Sequence, residues 1–214
     1  MPRQPDWTEA VEHLKQNDKR LARWIERIGP PQGRVSHEHT IFYSLMRSII
    51  YQQLAGSAAS SILAKVNALF PNGLATPEGI AETSDEALRG AGLSRNKLAA
   101  IRDLAAKTLD GTVPTARAMS RLSDEVIIER CIKVKGIGRW TVEMMLMFRL
   151  GRPNVLAVDD YGIRKGFQLI YKLPGLATKQ QLQKRGEKWH PWRTVGCYYM
   201  WRALEHQKKA KKEK

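Results

Sequence analysis

The sequence predicts an all-α protein, and three observations support this prediction. Apolar residues recur at the spacing of one helix face from Ile41 to Ile50. Strand-like runs such as residues 155–158 are too short and isolated to form a sheet. Helix start and stop residues recur along the chain, the starts at 76–78, 83–86 and 123–125 and the stops at 71–73, 90–92, 110–111 and 174–175.

Taken in order, these patterns predict about ten helices. Two N-terminal helices over residues 6–17 and 19–28 are followed by a break at the Gly- and Pro-rich residues 29–33. Further along, residues 123–134 predict one helix and residues 139–150 predict the next. The inward face of the first of this pair is expected to contain Val126, Ile127, Cys131 and Ile132.

The net charge is unusual, whereas 43% hydrophobic and 27% charged residues are typical of a globular protein. The 36 Lys and Arg residues against 21 Asp and Glu give a formal net charge of +15. Residues 205–214 hold five lysines and two glutamates and are expected to form a disordered basic tail, but most of the excess lies elsewhere. A polyanion, in particular nucleic acid, is therefore the expected partner.

Cys131 and Cys197 are the two cysteines, and each lies in an apolar helical pattern. Two thiols build neither a disulfide framework nor a four-thiolate cluster, so both are expected to be buried and inert. No apolar run approaches the ~18 residues of a membrane span, and the first six residues lack a signal-peptide core. These features favour a reducing intracellular compartment, in a prokaryote the cytoplasm or nucleoid, and no membrane partner.

A four-residue connection, Lys-Gly-Ile-Gly at 135–138, joins the two predicted helices before and after it. Glycine adopts the backbone angles of such a tight turn at low cost, and Ile137 can fill the space between the helices. Unpaired N–H groups at the start of the second helix favour an anion such as a phosphate. An ordinary helical hairpin has the same glycines, but Lys135 and Arg139 beside them favour phosphate binding.

Asp159 and Asp160 form an Asp-Asp pair ahead of another helical segment. An aspartate at such a junction is most often a helix N-cap, and one of the two can serve in that way. The other is then available to stabilise positive charge on a sugar while the bond to its base breaks. From the residues alone, the more common case for such a pair is that both aspartates are structural.

Together these segments resemble the helix-hairpin-helix DNA glycosylase superfamily, and within it the 3-methyladenine DNA glycosylase II branch. The likeness extends from about residue 36 to 204. It rests on four segments in the same order: RSIIYQQL at 47–54, KGIGRWT at 135–141, VDDYGI at 158–163, and HPWR at 190–193 followed by Trp201. Only about 35 residues precede this core, so the resemblance implies a minimal form without the N-terminal β domain of the branch's bacterial prototype.

The resemblance implies a single catalytic unit over residues 1–214, with two helical lobes around a DNA-binding cleft and the hairpin at its mouth. Lobe one is expected at approximately residues 36–134, and lobe two at approximately residues 1–35 plus 139–204. The implied catalytic residue is Asp160, which leaves the N-cap role to Asp159.

The resemblance also assigns the residues that contact DNA. The implied base-binding residues are Trp140, Trp201, Tyr43 and Met144. The implied DNA-binding residues are Lys135, Gly136, Ile137, Gly138, Arg139 and Thr141 at the hairpin, together with Gln53 and Leu54. Either Gln53 or Leu54 is expected to fill the gap that a flipped-out nucleotide leaves in the duplex, and Gln53 is the better match.

Lyase-capable members of the family have a lysine at the position of Trp140, so this chain is expected to act by hydrolysis alone. The resemblance implies no iron–sulfur cluster and no required cofactor, but it leaves open whether a monovalent cation binds at the hairpin. The implied activity is that of a monomeric base excision repair enzyme that removes alkylated purines, such as 3-methyladenine and 7-methylguanine, from damaged double-stranded DNA. Two alternatives stay open: a non-catalytic helix-hairpin-helix DNA-binding protein, and a glycosylase for deaminated or oxidised bases.

Overall fold

A computed structural model of the chain describes residues 7–31, 35 and 39–212, with backbone alone for residues 211 and 212. Over these ranges the all-α prediction is confirmed, since no strand occurs. No helix there is both long and apolar enough to span a membrane. The helices are α1 (Trp7–Asn17), α2 (Lys19–Ile28), α3 (Ile41–Tyr51), α4 (Gly56–Asn67), α5 (Pro77–Glu82), α6 (Asp85–Gly90), α7 (Arg95–Leu109), α8 (Ala116–Met119), α9 (Asp124–Cys131), α10 (Arg139–Phe148), α11 (Tyr161–Tyr171), α12 (Lys179–Gly186) and α13 (Arg193–Lys212), with a 3-10 turn at Glu187–Trp189.

Several helix starts follow the sequence pattern, with one shifted by a residue. Thr76 caps α5 and Ser123 caps α9, each side chain accepting a backbone N–H of the first turn. At α6 the cap is Ser84, although the sequence pointed to Thr83. The Thr83 hydroxyl instead donates to the carbonyl oxygen of Gly79 at 2.7 Å, one turn back in α5. The cap is therefore the polar residue directly before the first helical residue, here Ser84 ahead of Asp85.

The chain divides into two compact units, Ser36–Met145 and Met1–Val35 together with Leu146–Lys214. The first unit extends beyond the expected lobe of residues 36–134, because it includes the hairpin and most of α10. The C-terminal expectation also needs correction, since α13 continues through residues 205–212, where a disordered tail was expected. Lysine and alanine are good helix formers, and nothing in this stretch interrupts the helix. Residues 213 and 214 lie outside the described part of the chain.

In the unit of residues 36–145, helix α7, five of whose residues are buried, packs against α3 and α5. Arg102 of α7 joins it to the end of α5, where its guanidinium donates to the carbonyl oxygens of Ala81 at 3.1 Å and Thr83 at 2.5 Å. The same side chain pairs with Asp85 at 2.6 Å. These bonds satisfy the carbonyl groups that the short helix α5 leaves without helical partners.

The buried face of α9 differs from the expected one. Ile127 and Cys131 are buried as expected, but Val126 and Ile132 are 38% and 45% exposed, and Ile128 takes part in the core. Residues 127, 128 and 131 share one side of a helix that turns about 100° per residue, which leaves 126 and 132 at its edges. The prediction of buried thiols is confirmed for both cysteines, and burial raises the pKa of Cys131 to about 11.

In the other unit, α11 and α13 pack so closely that a Cβ on Gly166 would overlap the backbone of Met200. A buried carboxylate, that of Asp18, joins three elements of the same unit. Asp18 caps α2 and accepts hydrogen bonds from the Tyr171 hydroxyl at 2.5 Å and from Nε1 of Trp189 at 3.2 Å. Burial and the adjacent Asp18 charge raise the pKa of Tyr171 well above its usual value, so the phenol stays a hydrogen-bond donor.

Candidate functional site

Asp160 stands at the N-terminus of α11, where its carboxylate is fixed by two hydrogen bonds. Its Oδ1 accepts the N–H of Ile163 at 2.7 Å, which makes Asp160 the N-cap of the helix. The same oxygen accepts Nε1 of Trp201 at 2.9 Å. The residue is only 9% exposed. The carboxylate is therefore held in one orientation by its own helix and by α13.

The N-cap role assigned to Asp159 is wrong. Asp159 forms an ion pair with Lys179, and its side chain is 44% exposed. The N-cap immediately precedes the first helical residue, which is Tyr161, so Asp159 lies one position too early to reach the N–H of the first turn. Capping and a chemical role therefore do not divide between the two aspartates, because Asp160 holds the cap by itself.

Trp201 is confined beside Asp160 by two neighbours that the sequence did not single out. The ring of Phe148, 41% exposed, lies 5.7 Å from the ring of Trp201 with the planes tilted by 35°. A Cβ on Gly162 would lie 2.9 Å from Cδ1 of Trp201 and 3.1 Å from Oδ1 of Asp160. Gly162 thus permits the close approach of the indole to the carboxylate. In the sequence, only the position of Gly162 two residues after Asp160 indicates this role.

The hairpin has the expected shape, and two of its backbone N–H groups are paired within the protein. Gly136 has φ of 75°, which glycine adopts readily, and Ile137 is buried between the helices as predicted. The N–H of Lys135 donates to Oδ2 of Asp103 at 2.7 Å, and that of Ile137 to the carbonyl oxygen of Val134 at 3.1 Å. The glycine N–H groups at 136 and 138 have no acceptor among the described residues.

Arg139 was expected to contact DNA, but its guanidinium is engaged within the protein. It makes a bidentate pair with Glu125 at 2.7 Å for both bonds, and its Nε donates to Glu143 at 3.1 Å. The hydrogen bond to Glu125 raises the pKa of Arg139 and lowers that of Glu125. Arg139 therefore joins α9 to α10 across the hairpin, whereas Lys135 is exposed on its surface.

Two side chains hold the end of α3, where the wedge candidates lie. Nζ of Lys97 donates to the carbonyl oxygens of Ile49 at 3.0 Å and Gln52 at 2.8 Å, and also to that of Ile50. Burial lowers the pKa of Lys97. Nε2 of Gln52 donates to the carbonyl oxygen of Gly136 at 2.8 Å, which ties this helix end to the hairpin.

Beyond this anchor the chain turns sharply. Gln53 has φ of 59°, an uncommon backbone conformation for a residue other than glycine. Its side chain is exposed, and Leu54 next to it is 38% exposed. Both wedge candidates therefore lie at the tip of a turn that directly follows the residues held by Lys97. The choice between them stays a prediction.

A cavity of about 480 Å³ lies between the end of α3 and the start of α10. It brings together four of the predicted residues, Trp140, Met144, Gln53 and Thr141. Trp140 is 46% exposed, as a stacking surface must be. Arg47, Ser48, Tyr51 and Gln52 complete the wall, and the Arg47 guanidinium lies 4.2 Å from the ring centre of Tyr51. Arg47 and Tyr51 are four residues apart and therefore lie on one helix face, which is the sequence feature that could have predicted their contact.

Tyr43 does not belong to this cavity. It is 5% exposed, its ring packs 4.4 Å from that of His39, and its hydroxyl accepts Nδ2 of Asn67 at 2.8 Å. Tyr43 lies in the first turn of α3, about 12 Å along the axis from Tyr51 in the last turn. Its predicted role as a wall of the base pocket is therefore not supported, and its visible role is to pack the core.

The carboxylate of Asp103 accepts a hydrogen bond from the hairpin backbone. Its lowered pKa predicts a contribution to the free energy of unfolding that is lost in acid. Burial acts to raise the pKa of the carboxyl, but the hydrogen bonds of Lys107 and of the Lys135 N–H outweigh it, so the pKa is lowered. A lowered pKa stabilises the fold above pH ~4, and the contribution is lost as the pH falls through the folded-state pKa. We expect Asp103→Asn to cost about 1 kcal/mol at pH 7 and less toward pH ~2.

Urea unfolding of wild type and variant across this pH range measures the effect, with Glu86→Gln on the exposed first turn of α6 as a control. The control is expected to follow wild type at every pH. A deficit of Asp103→Asn that stays constant with pH would contradict the assignment.

The chain belongs to the HhH-GPD superfamily of base excision DNA repair proteins, which matches residues 46–191. It is 36% identical over 197 residues to DNA-3-methyladenine glycosylase 1 of Schizosaccharomyces pombe, covering 91% of this chain and 86% of that protein.

Two solved structures extend the comparison to the fold. One is the 3-methyladenine DNA glycosylase of S. pombe in complex with abasic DNA, with 35% identity, a TM-score of 0.79 and coverage of 90% of this chain and 95% of the other. The second is a DNA-3-methyladenine glycosidase from Bacillus halodurans, with 35% identity, a TM-score of 0.86 and coverage of 97% and 94%. No cluster of three or more His, Cys, Asp or Glu that could hold a metal ion occurs within the described ranges.

Proposed function

We propose that this protein is a monofunctional DNA glycosylase that hydrolyses the N-glycosidic bond of alkylated purines in double-stranded DNA. Membership of a base excision repair family and the similarity to proteins named as 3-methyladenine glycosylases support this class of reaction. The observation that carries it is the buried carboxylate of Asp160, held by the α11 N-terminus and by Trp201. We expect it to work as a monomer without a required cofactor.

Asp160 supplies the negative charge that the reaction needs. When the bond between base and sugar breaks, positive charge develops on the sugar ring, and a nearby carboxylate stabilises that transition state. Two hydrogen bonds fix Oδ1, so the carboxylate needs little reorganisation during the reaction. The same charge can orient the water that attacks the sugar.

The cavity beside Trp140 supplies a surface for the base. Alkylated purines such as 3-methyladenine and 7-methylguanine are positively charged, and a cation on an indole face gains about 0.5–2 kcal/mol. Met144 in the same wall adds a polarisable contact without a hydrogen-bond requirement. A base that leaves as a neutral molecule needs little acid catalysis. This combination favours alkylated purines over bases that must be recognised by hydrogen bonds.

The hairpin and the turn after α3 are suited to hold the duplex. The glycine N–H groups at 136 and 138 can donate to a phosphate, a contact that carries no sequence information. Gln53 and Leu54 at the exposed turn can fill the gap left by the extruded nucleotide. Whether a monovalent cation assists the hairpin is tested by comparing duplex affinity in potassium and in tetramethylammonium at equal ionic strength.

Base release from alkylated DNA tests the proposal directly. Wild type is expected to liberate 3-methyladenine and 7-methylguanine from methylated duplex DNA, detected as free bases by chromatography, and to leave abasic sites. No strand cleavage or borohydride-trapped adduct is expected, because tryptophan stands where a lysine nucleophile would be needed. Duplex binding without any base release would instead support the non-catalytic alternative. Faster release of hypoxanthine or 8-oxoguanine would support the other alternative, a glycosylase for deaminated or oxidised bases.

We expect Lys97 to affect activity on duplex substrates, because it anchors the turn that holds Gln53 and Leu54. Lys97→Met keeps the length of the side chain but leaves the carbonyl oxygens of Ile49, Ile50 and Gln52 without their shared donor. We expect kcat/KM for base release from duplex DNA to fall about tenfold, and to fall much less on single-stranded alkylated DNA, where no gap has to be filled.

Lys97→Arg should recover part of the activity, and Lys65→Met on the exposed surface of α4 in the same unit is the control. Equal losses on duplex and single strand would show that Lys97 supports the fold generally, with no specific role in positioning the turn.

A further inference from the structure

A second cavity, of about 350 Å³, lies in the unit that contains α11, but at the other end of that helix from Asp160. Its floor includes Phe167 and Tyr171 in the last turns of α11, and the helix between Asp160 and this end is about 16 Å long. Four cationic side chains line it: Arg20 of α2, Lys184 and Arg185 of α12, and Lys188 of the 3-10 turn. No role in the proposed glycosylase reaction requires this cavity.

The positive charge of this cavity is poorly compensated. Asp18 is the nearby carboxylate, but it is 2% exposed, it lies 3.7 Å from Arg185, and its oxygens accept the Leu21 N–H, the Tyr171 hydroxyl and Trp189. Glu187, beside Lys188 in sequence, pairs with Arg193 at 2.7 Å. Lys184 and Lys188 have no ion-pair partner within the described part of the chain, and both are exposed.

Two of the cations are held in place before any ligand arrives. Arg20 donates to the carbonyl oxygen of Tyr171 at 2.8 Å, and the Arg185 guanidinium lies 4.8 Å from the ring centre of Tyr171. A held guanidinium loses less entropy on binding an anion than a free one. The exposed lysines, Lys184 and Lys188, can add further positive charge. The set combines fixed planar donors with mobile point charges, which suits a ligand with several anionic oxygens.

We propose that this cavity binds phosphate groups, either of a free polyphosphate or nucleotide or of the nucleic-acid backbone. A phosphate offers several acceptor oxygens to the four cations, and the cavity has the size of a small-ligand site. None of its lining residues belongs to the hairpin, whose residues are part of the other compact unit. The proposal does not depend on the glycosylase activity.

Titration with pyrophosphate tests the site, with binding followed by calorimetry at constant ionic strength. The double variant Lys184→Gln/Lys188→Gln removes the two unpaired charges. The matched control Lys65→Gln/Lys208→Gln removes the same net charge from exposed positions on α4 and α13. We expect the pocket variant to raise the apparent Kd for pyrophosphate about tenfold and the control to change it less than twofold.

An undamaged duplex oligonucleotide distinguishes the two sources of phosphate. If the backbone occupies the cavity, the pocket variant alone should lower the salt dependence of duplex affinity by about one to two released ions. If free phosphates occupy it, duplex binding by the pocket variant should match that of the control while its pyrophosphate binding is weakened about tenfold. The proposal is overturned if wild type does not bind pyrophosphate, or if the pocket and control variants bind it equally.

Discussion

Asp160→Asn is expected to lower the rate of base release about 10²- to 10³-fold while the protein stays folded. Asparagine is as good an N-cap as aspartate, and its amide oxygen can still accept the Ile163 N–H and Nε1 of Trp201. What it lacks is the negative charge, and the loss of one preorganised electrostatic contact costs about 2.7–4 kcal/mol of transition-state stabilisation. Single-turnover release of methylated purines measures this loss.

Asp159→Asn is the matched control for the same pair of residues. It removes only the exposed ion pair with Lys179, and such pairs contribute little, so activity within about twofold of wild type is expected. Thermal unfolding of both variants should confirm that neither has lost its fold. Full activity of Asp160→Asn would remove Asp160 from the mechanism, and equal losses in both variants would mean that charge at this loop matters in general.

Gly166→Ala is expected to have the largest effect on stability, about 3 kcal/mol. A Cβ at this position would lie 2.5 Å from the carbonyl carbon of Met200 and closer still to its oxygen, so α11 and α13 would have to separate. Alanine gains up to about 1 kcal/mol of helix propensity over glycine, which offsets only part of this cost. Because the obstacle is backbone, no rotamer change relieves it. Urea unfolding at pH 7 measures the difference.

Gly56→Ala provides the comparison, because Gly56 begins α4 and nothing lies within 4 Å of an added Cβ there. This substitution is expected to be neutral or slightly stabilising. If Gly166→Ala accumulates only as unfolded protein, the result still agrees with the prediction. A Gly166→Ala protein as stable as Gly56→Ala would show that the two helices can move apart at little cost.

The candidate site shows where reasoning from the sequence succeeds and where it stops. The hairpin glycines and the aspartate pair occupy short, recognisable segments, so their general roles could be predicted. Which aspartate caps α11 could not be predicted, because the cap is the residue directly before the helix and the sequence does not fix the helix start to within one residue. Arg139 met the pattern of a phosphate-binding cation, yet the two glutamates that engage it are four and fourteen residues away. Charge near a motif does not reveal its partner.

The sequence by itself determined the helical class, several helix ends and the presence of Trp140 where a lysine would change the chemistry. These are local properties, set within a few residues by periodicity, capping and glycine. Only the tertiary structure decided that Trp201 holds Asp160 across 41 residues, that Lys97 holds Gln52 across 45, and that Gln52 holds Gly136 across 84. Such contacts depend on how helices pack, and no local pattern encodes which distant donor meets which acceptor.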